Sequence, residues 1–221
     1  MGKRRLMIAI IVVCVCIACG VGVYFGFYYQ NTSPERLPDQ YGSVVEQVYS
    51  SVDKDGDGVD DQTDILENAL EYIASRPKYK SKYYQTGYPD DGYGVCTDLT
   101  AYALKHAGYD IMALLQEDLK KNPEGYSIEE PDINIDFRRV KNLKVYFAHT
   151  AVSLTLDLSE TSQWQGGDIV IFKNHIGIVS DHRNERGVPY VIHHNDPRQT
   201  AYEQDILESR KDIVGHYRIS E

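Results

Sequence analysis

Cysteine is nearly absent from most of this chain. Of four cysteines in 221 residues, Cys14, Cys16 and Cys19 fall in one N-terminal apolar run, and only Cys96 lies beyond it. That distribution excludes a disulfide framework and a cysteine-ligated zinc finger. Basic charge is scarce too. Lys3, Arg4 and Arg5 precede the apolar run, and from residue 31 onward 20 basic residues face 33 acidic ones, a balance of −13. Binding nucleic acid through its phosphates needs clustered Lys and Arg, so no nucleic-acid partner is expected. There is no internal repeat and no low-complexity tract. What remains is 42% apolar and 25% charged, enough to build an ordinary core.

Residues 7–29 carry no charge, a stretch long enough to span a bilayer core, for which about 20 apolar residues suffice. The basic residues before it predict a cytoplasmic N-terminus, residues 1–6, with everything after the span outside. Tyr24, Tyr28 and Tyr29 crowd the far end as an interfacial belt would. A cleaved secretory signal is the rival, but the run exceeds the usual apolar length of such signals and no small-x-small site follows it. A lipoprotein signal fits poorly, because Cys16 holds an aliphatic position ahead of Ile17-Ala18-Cys19.

Residues 30–42 are polar with two prolines and read as a tether. Val44, Val45, Val48 and Val52 follow helical spacing, and Ile65 to Ala74 marks a second helix that Pro77 stops. Residues 43–78 are thus expected to form a helix–loop–helix, and 79–221 the main domain. Lys78 to Gly94 reads as irregular loop, followed by helices over 96–107, 111–119 and 140–147, with loop over 121–136. After Trp164, a core candidate, the pattern turns to strands over 168–172, 175–180, 188–193 and 213–219. Helices first and an antiparallel sheet after is an α+β layout.

The loop from Asp53 to Asp64 has the spacing of an EF-hand calcium site. Asp53, Asp55 and Asp57 stand at the first, third and fifth positions, Gly58 at the turn, the Val59 carbonyl at the seventh, and Asp61 at the ninth. The twelfth is Asp64 in place of the usual bidentate Glu, a substitution shared with cellulosomal dockerin loops, which the segment resembles. Asp53, Asp55, Asp57, Asp60 and Asp61 repel one another unless a hard cation or wide solvation neutralises them. A structural calcium is the expectation.

Cys96 opens a helix, where the N-terminal dipole lowers a thiol pKa. Gly92 and Gly94 before it leave backbone N–H groups available to an oxyanion. The base candidate is His175, opening the strand HIGIVS, and its orienting partner is His193, closing YVIH. Register decides whether His193 or His194 faces His175. Arg138 and Arg139 suit carboxylates, either internal ones (Asp98, Asp132, Asp136) or a substrate's.

The order of Cys96 on a helix, then GDIVIF, HIGIV and VIH resembles the NlpC-type cell-wall cysteine peptidases of the papain-like superfamily. Their patterns run D-C-S-x-L, P-G-D-L-V-x-F, H-V-G-I-Y and V-H. The resemblance implies Cys96 as nucleophile, His175 as base, His193 as third polar residue and Tyr84 as an accessory near the site. Thr97-Asp98 stands where Ser-Gly is usual, and only Lys173 and Asn174 join the two strands. A closer resemblance over residues 53–218 is to the bacterial family of NlpC-like proteins called domain of unknown function 1287. It rests on DGDGVDDQTDI, YP, GVCTD, PDINIDFRRVKNL, WQGGDIV, HIGIVSD, VIHH and GHYRI. That family commonly has Asn where this chain has His194.

The expectation is a membrane-anchored, extracytoplasmic α+β protein with a papain-like, NlpC-like fold. It would cleave a peptide or amide bond, by resemblance in cell-wall peptidoglycan, through an acyl-enzyme at Cys96. One rival is an acyltransferase or amidase on a lipid or small molecule with the same Cys–His pair. The other is a non-catalytic, calcium-stabilised envelope module in which Cys96 only packs.

Overall fold

The computed structural model describes residues 2–28 and 30–220. Tyr29, the last residue of the expected span, lies outside the described residues, as do Met1 and Glu221. Helix α1, Lys3–Tyr28, is long and apolar enough over Lys3–Phe25 to cross a membrane. Its side chains from Leu6 to Phe25 that are large and apolar stand exposed, a condition water does not favour for a helix apolar on all sides.

The rest is mixed α and β. Helix α2 spans Asp61–Ala74, and a two-residue parallel pair, β1 (Lys78–Tyr79) with β2 (Tyr93–Gly94), leads into α3, Cys96–His106. Then come α4 (Ile111–Lys121), a one-turn α5 (Ile133–Asp136) and α6 (Val140–Thr150). The strands are β3 (Val152–Ser153), β4 (Ile169–Phe172), β5 (His175–Arg183), β6 (Pro189–Ile192), β7 (Glu203–Gln204) and β8 (Ile213–Arg218). They form one antiparallel sheet in the order β3-β8-β4-β5-β6-β7. Helices α2 and α3 pack on one face, joining Ile65, Ala69, Ile73, Leu99 and Leu104 to Ile169, Ile171, Ile176 and Ile178 in one core. Trp164, Val170, Phe172, Val179 and Val191 fill the other. β4 and β5 are buried on both faces, which is why their sequences run apolar without alternation.

Asp168 ties the layers together. It is fully buried, and its carboxylate accepts from Arg218 Nε and Nη2 (2.8 and 2.9 Å), from His216 Nε2 (3.0 Å), from the Gln62 amide (2.9 Å) and from Gln165 N–H (2.8 Å). The GDIV and GHYRI stretches are thus two halves of one ion cluster, and Gln62 brings the start of α2 to it.

Two expectations fail. Residues 44–52 form no helix: Val44 is 98% exposed, and the valines that matched helical spacing have weak helix propensity and no face to bury. The acidic loop therefore leads into one helix, not between two. Residues 30–42 are no free tether either. Thr32 is buried with its hydroxyl donating to Gln199 O, Ser33 bridges Ala201, and Gln40 N–H donates to Arg183 O. Arg36 reaches the buried Glu203 and Ser180 (3.0 Å), and pairs with Asp181. The stretch is a strap docked along the sheet edge beside β7.

Candidate functional site

Cys96 is the first residue of α3, preceded by an extended Val95. Asp98, at the third helical position, reaches back to accept the Val95 N–H at 2.9 Å, the carboxylate half of a capping box. Asp98 itself is held by Arg138, whose Nε and Nη2 donate at 2.5 and 2.8 Å, while Nη1 donates to Lys82 O. Both side chains are almost fully buried. Arg138 therefore takes the internal role, and its place as a substrate ligand is corrected: it fixes the start of the helix that carries Cys96. Arg139 is exposed at the start of α6. Asp136 accepts from Gln116 and from Asp132 N–H, and makes no pair with either arginine.

His175 opens β5, and its Nε2 lies 2.9 Å from His193 Nδ1, with the rings edge to face. The register pairs Ile178 with Ile192 and Val179 with Val191, which places Gly177 across from His193. His193 thus meets His175 diagonally across the ladder, on the same face, and sequence parity alone does not distinguish this from direct opposition. Gly177 makes the approach possible, since a Cβ there would meet Val191 Cγ1 at 2.7 Å and Ile192 O at 2.9 Å. His194 turns the other way and pairs its Nδ1 with Tyr72 Oη at 3.0 Å, between the rings of Tyr79 and Tyr202. Of the two candidates for third residue, His193 meets His175.

The thiol packs beside this strand: Cys96 lies against the core that contains Ile176, the residue after His175. The backbone amides of Ile176, Thr97 and Cys96 each favour the thiolate. First-turn N–H groups have no intrahelical acceptor and are free to face an anion. Burial nevertheless pushes the Cys96 thiol up to about 11, and these amides offset it only in part. The helix N-terminus does not win, so the expected depressed thiol is corrected: Cys96 rests protonated. The imidazoles go down. Burial, then His193 and Arg210, take His175 to about 3, and burial takes His193 and His194 to about 4. All three rings rest neutral. Nε2 of His193 and of His194 are buried without a hydrogen bond among the described residues.

Two residues change standing. The Tyr84 hydroxyl donates to Asp91 at 2.7 Å and its ring lies under Arg138, so it supports the Asp98–Arg138 pair from behind. Tyr72 was not expected. Its hydroxyl contacts His194 and packs so tightly on Gly94 that a Cβ there would lie 2.2 Å away. It also walls a cavity of about 330 Å³ with Tyr88, Tyr93, Tyr102 and Lys105. The only sequence signal was an apolar-face position of α2, which core packing explains equally well.

In the acidic loop, carboxylate oxygens of Asp53, Asp55 and Asp57 all lie within 4.8 Å of one another. Asp53 accepts from Gly56 N–H (2.8 Å) and Gly58 N–H (2.9 Å), and Asp57 from Val59 N–H (2.8 Å). Gly56 and Gly58 both have positive φ. Asp64 is buried at the start of α2, and burial, then Asp55 and Asp57, push its carboxyl up to about 6. Asp61 departs from the ligand pattern. It is buried, and accepts from Lys54 N–H, Tyr109 and Ser220.

A family model, Domain of unknown function (DUF1287), matches residues 66–219. The Uncharacterized protein YijF of Escherichia coli (strain K12) is 36% identical over 168 residues, covering 70% of this chain and 80% of that protein. No solved structure matches the chain.

Proposed function

The chain belongs to the DUF1287 family, whose description assigns no activity, and from its own geometry we propose a thiol hydrolase that acts on a peptide or amide bond outside the cytoplasm. The observation that carries the reading is the His175–His193 pair at 2.9 Å, with His175 one residue before Ile176, which belongs to the core against which Cys96 packs. A tautomer with the proton on His175 Nε2, donated to His193 Nδ1, leaves His175 Nδ1 with a free lone pair. That nitrogen takes the thiol proton as sulfur attacks the carbonyl carbon, and returns it to the leaving amine. The Cys96 and Thr97 amides at the start of α3 would stabilise the oxyanion. Water then hydrolyses the thioester. Because thiol and imidazole both rest neutral, proton transfer accompanies attack instead of preceding it, unlike a preformed ion pair.

Peptidoglycan is the proposed polymer, by the resemblance of the Cys96, GDIVIF, HIGIV and VIH segments to NlpC-type peptidases, and a papain-like fold belongs to the same proposal. Helix α1 is read as an uncleaved anchor with residues 1–6 in the cytoplasm. Calcium is proposed at the acidic loop. Asp53, Asp55, Asp57 and the Val59 carbonyl would hold it, with Asp64 closing the site, while Asp61 stays with Tyr109 and Ser220. Its part would be to neutralise the loop and set the start of α2. Incubation with muropeptides tests the activity: release of a new amine, absent in Cys96→Ala, is expected, and no release from any stem peptide would overturn the substrate.

A further inference from the structure

The chain leaves α1 and is fastened at once. Gln30, two residues past Tyr28, lays its side-chain amide along the backbone of β1: Nε2 donates to Tyr79 O at 2.9 Å, and Oε1 accepts the Tyr79 N–H. One amide thus supplies the bonds a neighbouring strand would make. Tyr79 is in register with Gly94, two residues before Cys96, and its ring stands edge-on to His194 at 5.4 Å. A free strap of residues 30–40 would let the domain wander by about 18 Å. Docked from its first residue, it leaves no such slack. At most about 3.6 Å per residue, with about 4.8 Å between paired strands, Cys96 stays within about 25 Å of the end of α1.

The rim has matching chemistry. Arg76, Lys78, Lys80 and Lys82 are all exposed, four cations in seven residues of a domain whose balance is strongly acidic. Lys82 also pairs with Asp91. Tyr83 beside them is 51% exposed. Cations and tyrosines are the side chains that settle among lipid phosphates and headgroups.

We propose that the cleft works at the headgroup level of the membrane, on an amide carried by an anionic, phosphate-bearing amphiphile. This rests on the thiol-hydrolase reading of Cys96 and on α1 as an uncleaved anchor. The test uses the full chain in phosphatidylglycerol-containing vesicles, with Cys14, Cys16 and Cys19 changed to Ser. In one arm Cys96→Ala and Lys80→Cys are added, and a fluorophore on the new thiol is read against a lipid with a nitroxide on its headgroup. The control inserts a Gly/Ser spacer of about 20 residues between Tyr29 and Gln30, worth about 25 Å of reach. Strong quenching, reduced severalfold by the spacer, is expected. In the other arm Cys96 is kept, and its acylation is followed with a soluble p-nitrophenyl ester and with the same ester on a phospholipid headgroup. Sulfur bonds to the acyl carbon, p-nitrophenolate leaves, and the thiol proton passes to His175. The lipid-borne ester should acylate Cys96 about tenfold faster without the spacer than with it. Equal quenching with and without the spacer overturns the proposal. So does acylation by the soluble ester alone, which would turn the cleft toward the wall. If neither ester acylates Cys96, the hydrolase reading falls and takes the substrate with it, whatever the quenching shows.

Discussion

Asp53, Asp55 and Asp57 stand on the surface and hold their turn with their own backbone, while His175, His193 and His194 stand inside, each at most 5% exposed. Both groups gather titratable side chains, and solvent decides what becomes of the charge. The loop meets the repulsion among its carboxylates with water or a cation. The histidines give up their charge, because burial makes an imidazolium costly. Cys96 follows the buried rule, although its helix position favours a thiolate. On the proposed reading, one region would attract an ion and the other would keep a neutral proton relay.

The largest test of the buried side is Arg138→Ala. It strands Asp98 without its partner and should cost about 3–5 kcal/mol, read by chemical denaturation. Stability unchanged within about 0.5 kcal/mol, the usual range of a surface substitution, would mean the pair does not hold α3. The His175–His193 contact comes next. His193→Leu should slow acylation of Cys96 about 100-fold with the fold intact, and His193→Asn, which offers an acceptor again, should recover part of it. Equal rates in all three proteins would reduce His193 to packing.

Acid separates the two regions by sign. The histidines titrate near 6.5 when unfolded and at about 3 to 4 when folded, so below pH 6.5 the unfolded chain binds more protons. Their contribution is complete above pH 6.5 and is lost as pH falls toward 3. Asp64 runs the other way. Raised from 3.8 to about 6, it stabilises the fold at low pH and loses that contribution as pH rises through 6. Melting followed from pH 8 to pH 4 should show a net fall, reduced in a His194→Asn variant. The smallest effect is calcium. At saturating ion the melting temperature should rise by an amount worth about 2–3 kcal/mol at 100 times Kd, and the rise should vanish in Asp55→Asn and shrink below pH 6. No shift at neutral pH would leave the loop a solvated turn.

Much of this was legible in local pattern. The strands over residues 169–218, the helix opened by Cys96 and the internal use of Arg138 follow from apolar runs, turn residues and charge pairing. The docked strap was not legible, because Thr32 and Arg36 find partners some 167 residues away, and polar composition alone reads as tether. Nor was the thiol's state. A helix start and a buried environment push it in opposite directions, and only the packing around Cys96 decides between them. Tyr72 stayed hidden for the same reason, since core and site share its position on α2.

The central claim is that Cys96 is a nucleophile served by a neutral His175. It is tested most directly by mass spectrometry of Cys96 acetylation with p-nitrophenyl acetate between pH 5 and pH 9, in the native chain and in His175→Ala. With His175 at about 3 and Cys96 at about 11, the account predicts acetylation at Cys96 whose rate is flat across that range and falls by about 100-fold or more in the variant. A rate that climbs tenfold per pH unit, equally in both proteins, would be simple thiolate chemistry and would contradict it.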